Sequence, residues 1–231
     1  MSALISCIIP VYNSARFIGE SLESVFAQTY PSLEVLVVDD GSTDDTPKVL
    51  EEFGDRIKVI RQENAGPAAA RSRGFSASTA DFVAFQDADD IWVPEKLELQ
   101  MDRLQKRPEA ELCNCLIENF WEAEQAEEEE RLRGTDHAKP RLASWQGVLA
   151  RRRVFDIVGG MDAGVPENDA REWMHRARTM DIVIEQIDEV LVRRRVHSSN
   201  WSRRRAGMES ALLLRLAERA LARRQSTNPD G

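Results

Sequence analysis

Long apolar runs are missing from this 231-residue chain. None reaches the roughly 18–20 residues that a membrane helix needs, so no transmembrane segment is expected. A basic leader is missing too. Met1-Ser2-Ala3 runs straight into a strand-like stretch, so no signal peptide is read and a cytoplasmic protein is the expectation. Cysteine is scarce, three residues in all, which suits a reducing compartment. Cys113 and Cys115 stand one residue apart, which is not a zinc-ligand spacing, and no histidine cluster accompanies them. All three cysteines are read as strand residues. A positive surplus is absent as well: the net charge is -9, which argues against general nucleic-acid binding. No G-x-G-x-x-G follows the first apolar run, which sets aside a dinucleotide dehydrogenase.

What is present is a core-forming composition, 42% hydrophobic, at a length that suits one large domain or two small ones. No internal repeat or clear linker divides it. Charge is distributed unevenly. Glu118 to Glu130 holds seven glutamates in thirteen residues, and Arg193 to Arg205 holds six arginines in thirteen. The acidic stretch reads as a solvated helix face or loop.

Four short apolar runs, Leu4 to Ile9, Glu34 to Val38, Ile57 to Ile60 and Phe82 to Phe85, are nearly continuous rather than alternating. That pattern predicts parallel strands covered on both faces. Between them, Ile18, Leu22, Val25 and Phe26 have helical spacing, with Ser14 as a candidate cap. Thr43 or Asp44 is placed to cap a helix reaching Phe53 with Pro47 in its first turn, and Pro67 to Ala77 predicts a third helix. Strand–helix–strand repetition predicts a doubly wound, mostly parallel α/β sheet. Further on, Glu95 to Arg107, Val148 to Val158, Asp169 to Met180 and Gly207 to Arg224 read as helices. Glu111 to Phe120, Ile182 to Ile187 and Val190 to Val196 read as strands, and Gln225 to Gly231 reads as a frayed tail.

Ligands of open parallel sheets bind outside the carboxyl ends of the strands. Here "PVYNSA" from Pro10, "DDGSTDDT" from Asp39 and "QDADD" from Gln86 collect at three such ends. Tyr12, Asp40, Asp87 and Asp89 therefore face one crevice. Carboxylates gathered there repel one another unless a positive group joins them. A magnesium or manganese ion with oxygen ligands answers that need and leaves positions open for a substrate phosphate. A D-x-D taken alone is an ordinary acidic turn; its place after a buried strand, beside a second acidic turn, strengthens it.

The stretches "SCIIPVYNSARFIGESLESVFAQTYPSLEVLVVDDGSTDDT" and "NAGPAAARSRGFSASTADFVAFQDADDIW" resemble the nucleotide-binding half of family 2 glycosyltransferases, which have the GT-A fold. "GGMDAGVPENDAREWMHRA" is similar to that family's acceptor-side helix, and "VLVRRRVHSSNWS" to its closing R-x-H-x-x-N-x-S segment. The likeness covers roughly residues 3–202. It implies one GT-A domain over residues 1–231, with a nucleotide-sugar and metal half at 1–107, an acceptor half at 108–205, and a C-terminal helix and tail at 206–231.

The resemblance also implies roles. Tyr12 flanks the nucleotide base, Asp40 accepts a hydrogen bond from a uracil-type base edge, and Arg71 approaches the nucleotide or its phosphates. Asp87 holds the ribose or a metal-bound water; Pro10 and Ala88 complete the donor contacts. Asp89 binds the metal, and His197 reaches the metal or diphosphate unless it is a surface or capping histidine. The implied reaction is metal-dependent, inverting transfer of a sugar, UDP-linked by this likeness, to the hydroxyl of an acceptor of unassigned chemistry. Aligning on Trp173 and Arg176 sets Asp169-Ala170 at the family's acidic pair, so the second acid is alanine here. Either Asp169 is the base, with Glu167 and Glu172 nearby, or the chain binds a nucleotide sugar and transfers poorly; Asp169 also suits a plain helix cap. A nucleotidyltransferase is the remaining alternative, disfavoured because "PVYNSAR" is not a glycine-rich phosphate loop. Trp92, Trp173 and Trp201 are sugar-site candidates that read more readily as core. The basic C-terminal helix is a candidate for peripheral membrane or homo-oligomer contact, with solvated arginines as the plainer reading.

Overall fold

A computed structural model describes residues 2–136, 139–142, 144–161 and 169–200. Among them lie eight strands in one sheet. β1 (Ile5–Val11), β2 (Leu33–Asp39), β3 (Lys58–Arg61) and β4 (Phe82–Phe85) are the four strands expected from the apolar runs. All pair in parallel, in the order β3-β2-β1-β4. β1, β2 and β4 carry the burial that continuous apolar runs require. β3 instead is a largely exposed edge, where Lys58 and Arg61 discourage pairing with another chain.

The sheet continues through β7 (Val148–Arg151), β6 (Leu112–Trp121), β8 (Ile184–Val196) and β5 (Ile91–Trp92). β7 runs antiparallel to β4 and β6, and β5 antiparallel to β8, so the sheet is mixed rather than mostly parallel in its second half. Residues 148–151 were expected to be helical and are β7; the helix α6 starts only at Arg153 (Arg153–Val158). A run such as Val-Leu-Ala fits a buried helix or a buried strand equally well, and the open edge of β4 claims it. The two strands expected between Ile182 and Val196 are one. The break between them is a register shift opposite Cys115 to Ile117, where Asp188-Glu189 is accommodated.

Helices cover both faces. α1 (Ile18–Phe26), α2 (Thr46–Glu51) and α4 (Lys96–Lys106) bury Ile18, Leu22, Val25, Leu50, Leu97, Met101 and Leu104 with Cys7, Ile9 and Val37 of the sheet. α3 (Pro67–Ala77), α6 and α7 (Asp169–Thr179) lie on the other face, over Ile8, Val83 and Phe85. α5 (Ala126–Leu132) in the acidic stretch buries nothing, as its composition predicts. The three cysteines are free, buried strand residues.

Two caps differ from expectation. The Ser14 carbonyl, not its side chain, receives Phe17 N and Ile18 N, and its hydroxyl donates to the Tyr12 carbonyl. Asp44 does receive Thr46 N, at 2.9 Å, but α2 stops at Glu51 because a 3-10 turn follows at Gly54–Arg56. The expected C-terminal helix and tail, Trp201 and Glu167 lie outside the described residues.

Candidate active site

The crevice opens where the β1–β4 ladder stops. Gln86 N donates to Ile8 O at 3.0 Å, and the next rung would need an N–H at Pro10, which has none. Released from β1, the chain after β4 turns at once, with Asp90 N donating to Asp87 O. On the other side β1 keeps its neighbour, through Asp40 N to Val11 O at 2.9 Å. Pro10 was expected among the donor contacts. It is buried within β1 opposite Val38, so it shapes the crevice by the bond it cannot make.

The rim is stitched by Asn13, whose φ of 48° is in the left-handed region that asparagine tolerates. Its N–H donates to Ser42 Oγ, and its side-chain oxygen receives Thr43 N and Asp44 N. These bonds fasten the turn after β1 to the turn after β2. Tyr12 stands at that rim, 40% exposed. Asp40 is only 3% exposed. Its carboxylate receives Gln62 Nε2, Ala65 N and Gly66 N at 2.8–2.9 Å, so it anchors the loop that leads into α3.

α3 delivers Arg71. Its close approach depends on Gly74, where a Cβ would fall 2.5 Å from Ile8 Cγ2. One turn earlier, the buried Arg71 guanidinium meets the Asp87 carboxylate at 2.7 Å. Ser21 of α1 fixes the same turn by donating to the Asp87 carbonyl. Ala88, between the two acids, is buried against the α1 side of the core.

Asp89 is held from the far end of the chain. Just past β8, His197 Nε2 and Asn200 Nδ2 each lie 3.0 Å from Asp89 Oδ2. The His197 ring packs on Phe17, with centroids 4.3 Å apart, and its Nδ1 meets Ser199 Oγ at 2.8 Å. His197 is therefore neither a surface nor a capping group. Arg195 fixes the backbone of the same corner. Its guanidinium donates to Asp89 O and pairs with Glu20 and Glu122, while its N–H donates to Asp90 Oδ1. Asn200 and Arg195 stand in the closing motif, yet the sequence alone assigned them no part. Nothing in it pairs them with residue 89.

The protein thus supplies its own positive groups to the acidic turn, Arg71 at Asp87 and Arg195 beside Asp89. Asp90 is different. It is buried, receives Gln146 Nε2 at 2.8 Å, and burial together with the charges of Asp89 and Asp87 pushes its pKa well above the carboxylate range. It is a structural acid under the turn.

Among the described residues no three metal-ligating side chains gather. The donor pair Asp89–His197 still fits a divalent ion. An octahedral ion with bonds of about 2.1 Å places adjacent ligand atoms about 3 Å apart, and Oδ2 and Nε2 are 3.0 Å apart. Ser199 Oγ can accept from Nδ1–H, which leaves Nε2 free to ligate.

Asp169 opens α7; its side chain lies outside the described residues. Ala170 is buried in the core. Glu172, an expected neighbour of the base, is 1% exposed and tied to Arg176. Trp173 and Trp92 are core residues, their ring N–H groups donating to Gly159 O and Gln146 O.

The model of the family described as Glycosyl transferase family 2 matches residues 6–147. An uncharacterized glycosyltransferase of Nostoc sp. is 47% identical over 98 residues, 41% of this chain and 30% of its own length. The UDP-Glc:alpha-D-GlcNAc-diphosphoundecaprenol beta-1,3-glucosyltransferase WfgD of Escherichia coli is 45% identical over 105 residues, 45% of this chain and 42% of its own. The chain thus spans well under half the length of these relatives. Staphylococcus aureus TarS, solved with UDP-GlcNAc, superposes with a TM-score of 0.72 at 20% identity, over 87% of this chain and 60% of that one. A mannosyltransferase of Pyrobaculum calidifontis, solved with GDP-Man and Mn2+, superposes with a TM-score of 0.66 at 22% identity, over 87% of this chain and 59% of that one. The architecture is the GT-A fold.

Proposed function

The chain belongs to glycosyl transferase family 2, and from that premise we propose that it transfers a sugar from a nucleotide-diphosphate donor to an acceptor hydroxyl. The observation that carries this reading is the Asp89 corner, where a D-x-D acid at a strand end is met by His197 and Asn200 from more than 100 residues away. A fold spends such long-range closure on a carboxylate that has work to do. UDP is the preferred nucleotide because WfgD is named for UDP-Glc and TarS was solved with UDP-GlcNAc.

In this reading Tyr12 and Asp40 frame the base, with Asp40 acting through the Gln62–Gly66 loop it anchors. Arg71 and Asp87 border the ribose and phosphates, Asp89 and His197 ligate a manganese or magnesium ion, and Asp169 removes the acceptor proton. The ion, when bound, offsets charge on the leaving diphosphate. His197 and Asn200 keep Asp89 aimed, and Arg195 keeps the turn from moving. Attack on the face opposite the diphosphate inverts the anomeric carbon.

A second reading has an observation of its own: Ala170 is buried where the family carries an acid, and Glu172 is tied to Arg176, which favours a binding protein without turnover. Release of UDP or GDP from UDP-glucose, UDP-GlcNAc and GDP-mannose separates the two. The transferase reading expects metal-dependent release from at least one donor, reduced by roughly 10²–10⁴ in Asp169→Asn. Tight donor binding with no release by the parent would decide for the binding protein.

A further inference from the structure

We propose that Glu122 and Glu124 are positioning residues: they hold His197 against Asp89 and so set the affinity of that corner for a divalent ion. The proposal rests on the transferase reading. It gives a task to the start of the glutamate-rich stretch, which composition alone reads as solvated surface.

β6 ends at Trp121, and the residues just after it reach back to the chain on both sides of His197. Before the histidine, Glu122 N donates to Val196 O at 3.0 Å. After it, Glu124 Oε1 receives Ser198 Oγ at 3.0 Å and Ser198 N at 3.3 Å. His197 is thus fixed one residue away in each direction. Its own N–H donates to Asn200 Oδ1 at 2.8 Å, and Asn200 Nδ2 reaches Asp89. The bonds from Ser198 also lower the pKa of Glu124 from its ordinary value, so it is ionised when it accepts them.

The Glu122 side chain adds charge to the same hold. One carboxylate oxygen receives Arg195 Nη1, and the other receives Arg16 Nη2 at 2.8 Å. The Arg195 and Glu122 side chains are 7% and 20% exposed, so their pair is screened less than one in open water. Arg16 is more than half exposed and contributes little alone. The Arg195 guanidinium donates to Asp89 O and lies 5.1 Å from the Phe17 ring, on which the His197 ring rests. One carboxylate therefore steadies an arginine that touches the Asp89 backbone and the seat of His197. An ion binds more tightly to ligands already in place, because their ordering precedes its arrival. Glu127 of α5 offers a comparison: it is exposed and, among the described residues, contacts none of Arg16, Arg195 and Ser198.

The test uses the full chain as parent, Glu122→Gln, Glu124→Ala, Glu124→Gln and Glu127→Gln. Calorimetry gives UDP affinity with manganese and with chelator. Hydrogen exchange of the peptide from Arg195 to Asn200 is read in the free protein, without metal or nucleotide. Glu122→Gln and Glu124→Ala are each expected to cut the manganese-dependent gain in UDP affinity by about fivefold and to speed exchange of that peptide. UDP affinity in chelator is expected to stay at the parent value. Glu124→Gln keeps an oxygen for Ser198 and should match the parent within about twofold. Glu127→Gln removes the same charge and should match it as well. Parent-like exchange in both Glu122→Gln and Glu124→Ala, or a parent-like manganese gain in both, would overturn the proposal. So would an equal loss in Glu127→Gln, which would reduce the effect to net charge. A parent that gains nothing from manganese is a failure of the metal reading, and the exchange measurement then decides whether the two glutamates hold His197.

Discussion

The N-terminal half, β1 to β4, and the C-terminal half, β6 to β8, build their polar contacts over different distances along the chain. From β1 to β4 the bonds are local: Asn13 to Thr43 spans 30 residues, Asp40 to Ala65 spans 25, and Arg71 to Asp87 spans 16. The C-terminal half closes on the same crevice from afar: Asp89 to His197 spans 108 residues, Asp89 to Asn200 spans 111, and Arg195 to Glu20 spans 175. Local bonds form with each strand–helix unit. The distant ones exist only when β8 is seated in the sheet. The difference implies that the crevice lined by Tyr12, Asp40, Arg71 and Asp87 is a property of one half, while the corner holding Asp89 is a property of the whole fold.

The strongest way to break this comparison is to loosen the C-terminal half alone. Trp173 packs against Trp145 and Phe155, with centroids 5.4 and 4.9 Å away, and its surroundings are fully buried. Trp173→Ala should cost about 3–5 kcal/mol in urea unfolding. Because both halves share one sheet, unfolding should stay a single transition. Two separated transitions would show that the halves stand independently.

A smaller effect tests the N-terminal half. Gly74→Ala forces a methyl group against Ile8 and should cost about 1–3 kcal/mol. It should also weaken UDP, because α3 carries Arg71. Parent-like stability and UDP affinity together would mean that the contact yields freely and that the glycine does not set the position of Arg71.

The smallest effect concerns the seam between the halves. Lys96 of α4 is fully buried, with Nζ over the Trp92 ring at 4.2 Å and bonded to Gln100 Oε1, which puts it between Cys7 of the first half and Cys113 and Cys115 of the second. Burial lowers its pKa from the ordinary 10.5. A depressed folded-state pKa means that the folded protein binds fewer protons than the unfolded chain. Stability is therefore gained as pH rises toward 10.5 and lost as it falls. The parent should gain on Lys96→Met across that range, by at most about 1.4 kcal/mol per pH unit. A stability difference flat in pH would contradict a buried, ionising lysine.

The same contrast governs what could be read before folding. The first four strands and α3 were legible because buried parallel strands are continuous apolar runs, and Pro67 marks a helix start. β7 was misread because no turn residue separates Val148-Leu149-Ala150 from α6, and periodicity cannot tell a four-residue strand from a buried helical turn. β8 was split because Asp188-Glu189 interrupts its pattern, a bulge that only its partner strand defines. Of the residues that meet at the crevice, Tyr12, Asp40, Asp87 and Asp89 follow from strand ends, and Arg71 only from the family resemblance. That Asp40 turns inward to the loop before α3, and that Asn200 and Arg195 brace Asp89, depend on tertiary closure and leave no local signal.

The central claim is that the Asp89–His197 corner holds a divalent ion with the donor's diphosphate. The most direct test is the calorimetric affinity of UDP for the parent and for Asp89→Asn, each with manganese and with chelator. The account predicts that manganese tightens UDP binding to the parent by roughly tenfold or more, about 1.4 kcal/mol, and that Asp89→Asn loses this gain while keeping the metal-free affinity. Equal UDP affinity with and without manganese in the parent would contradict it.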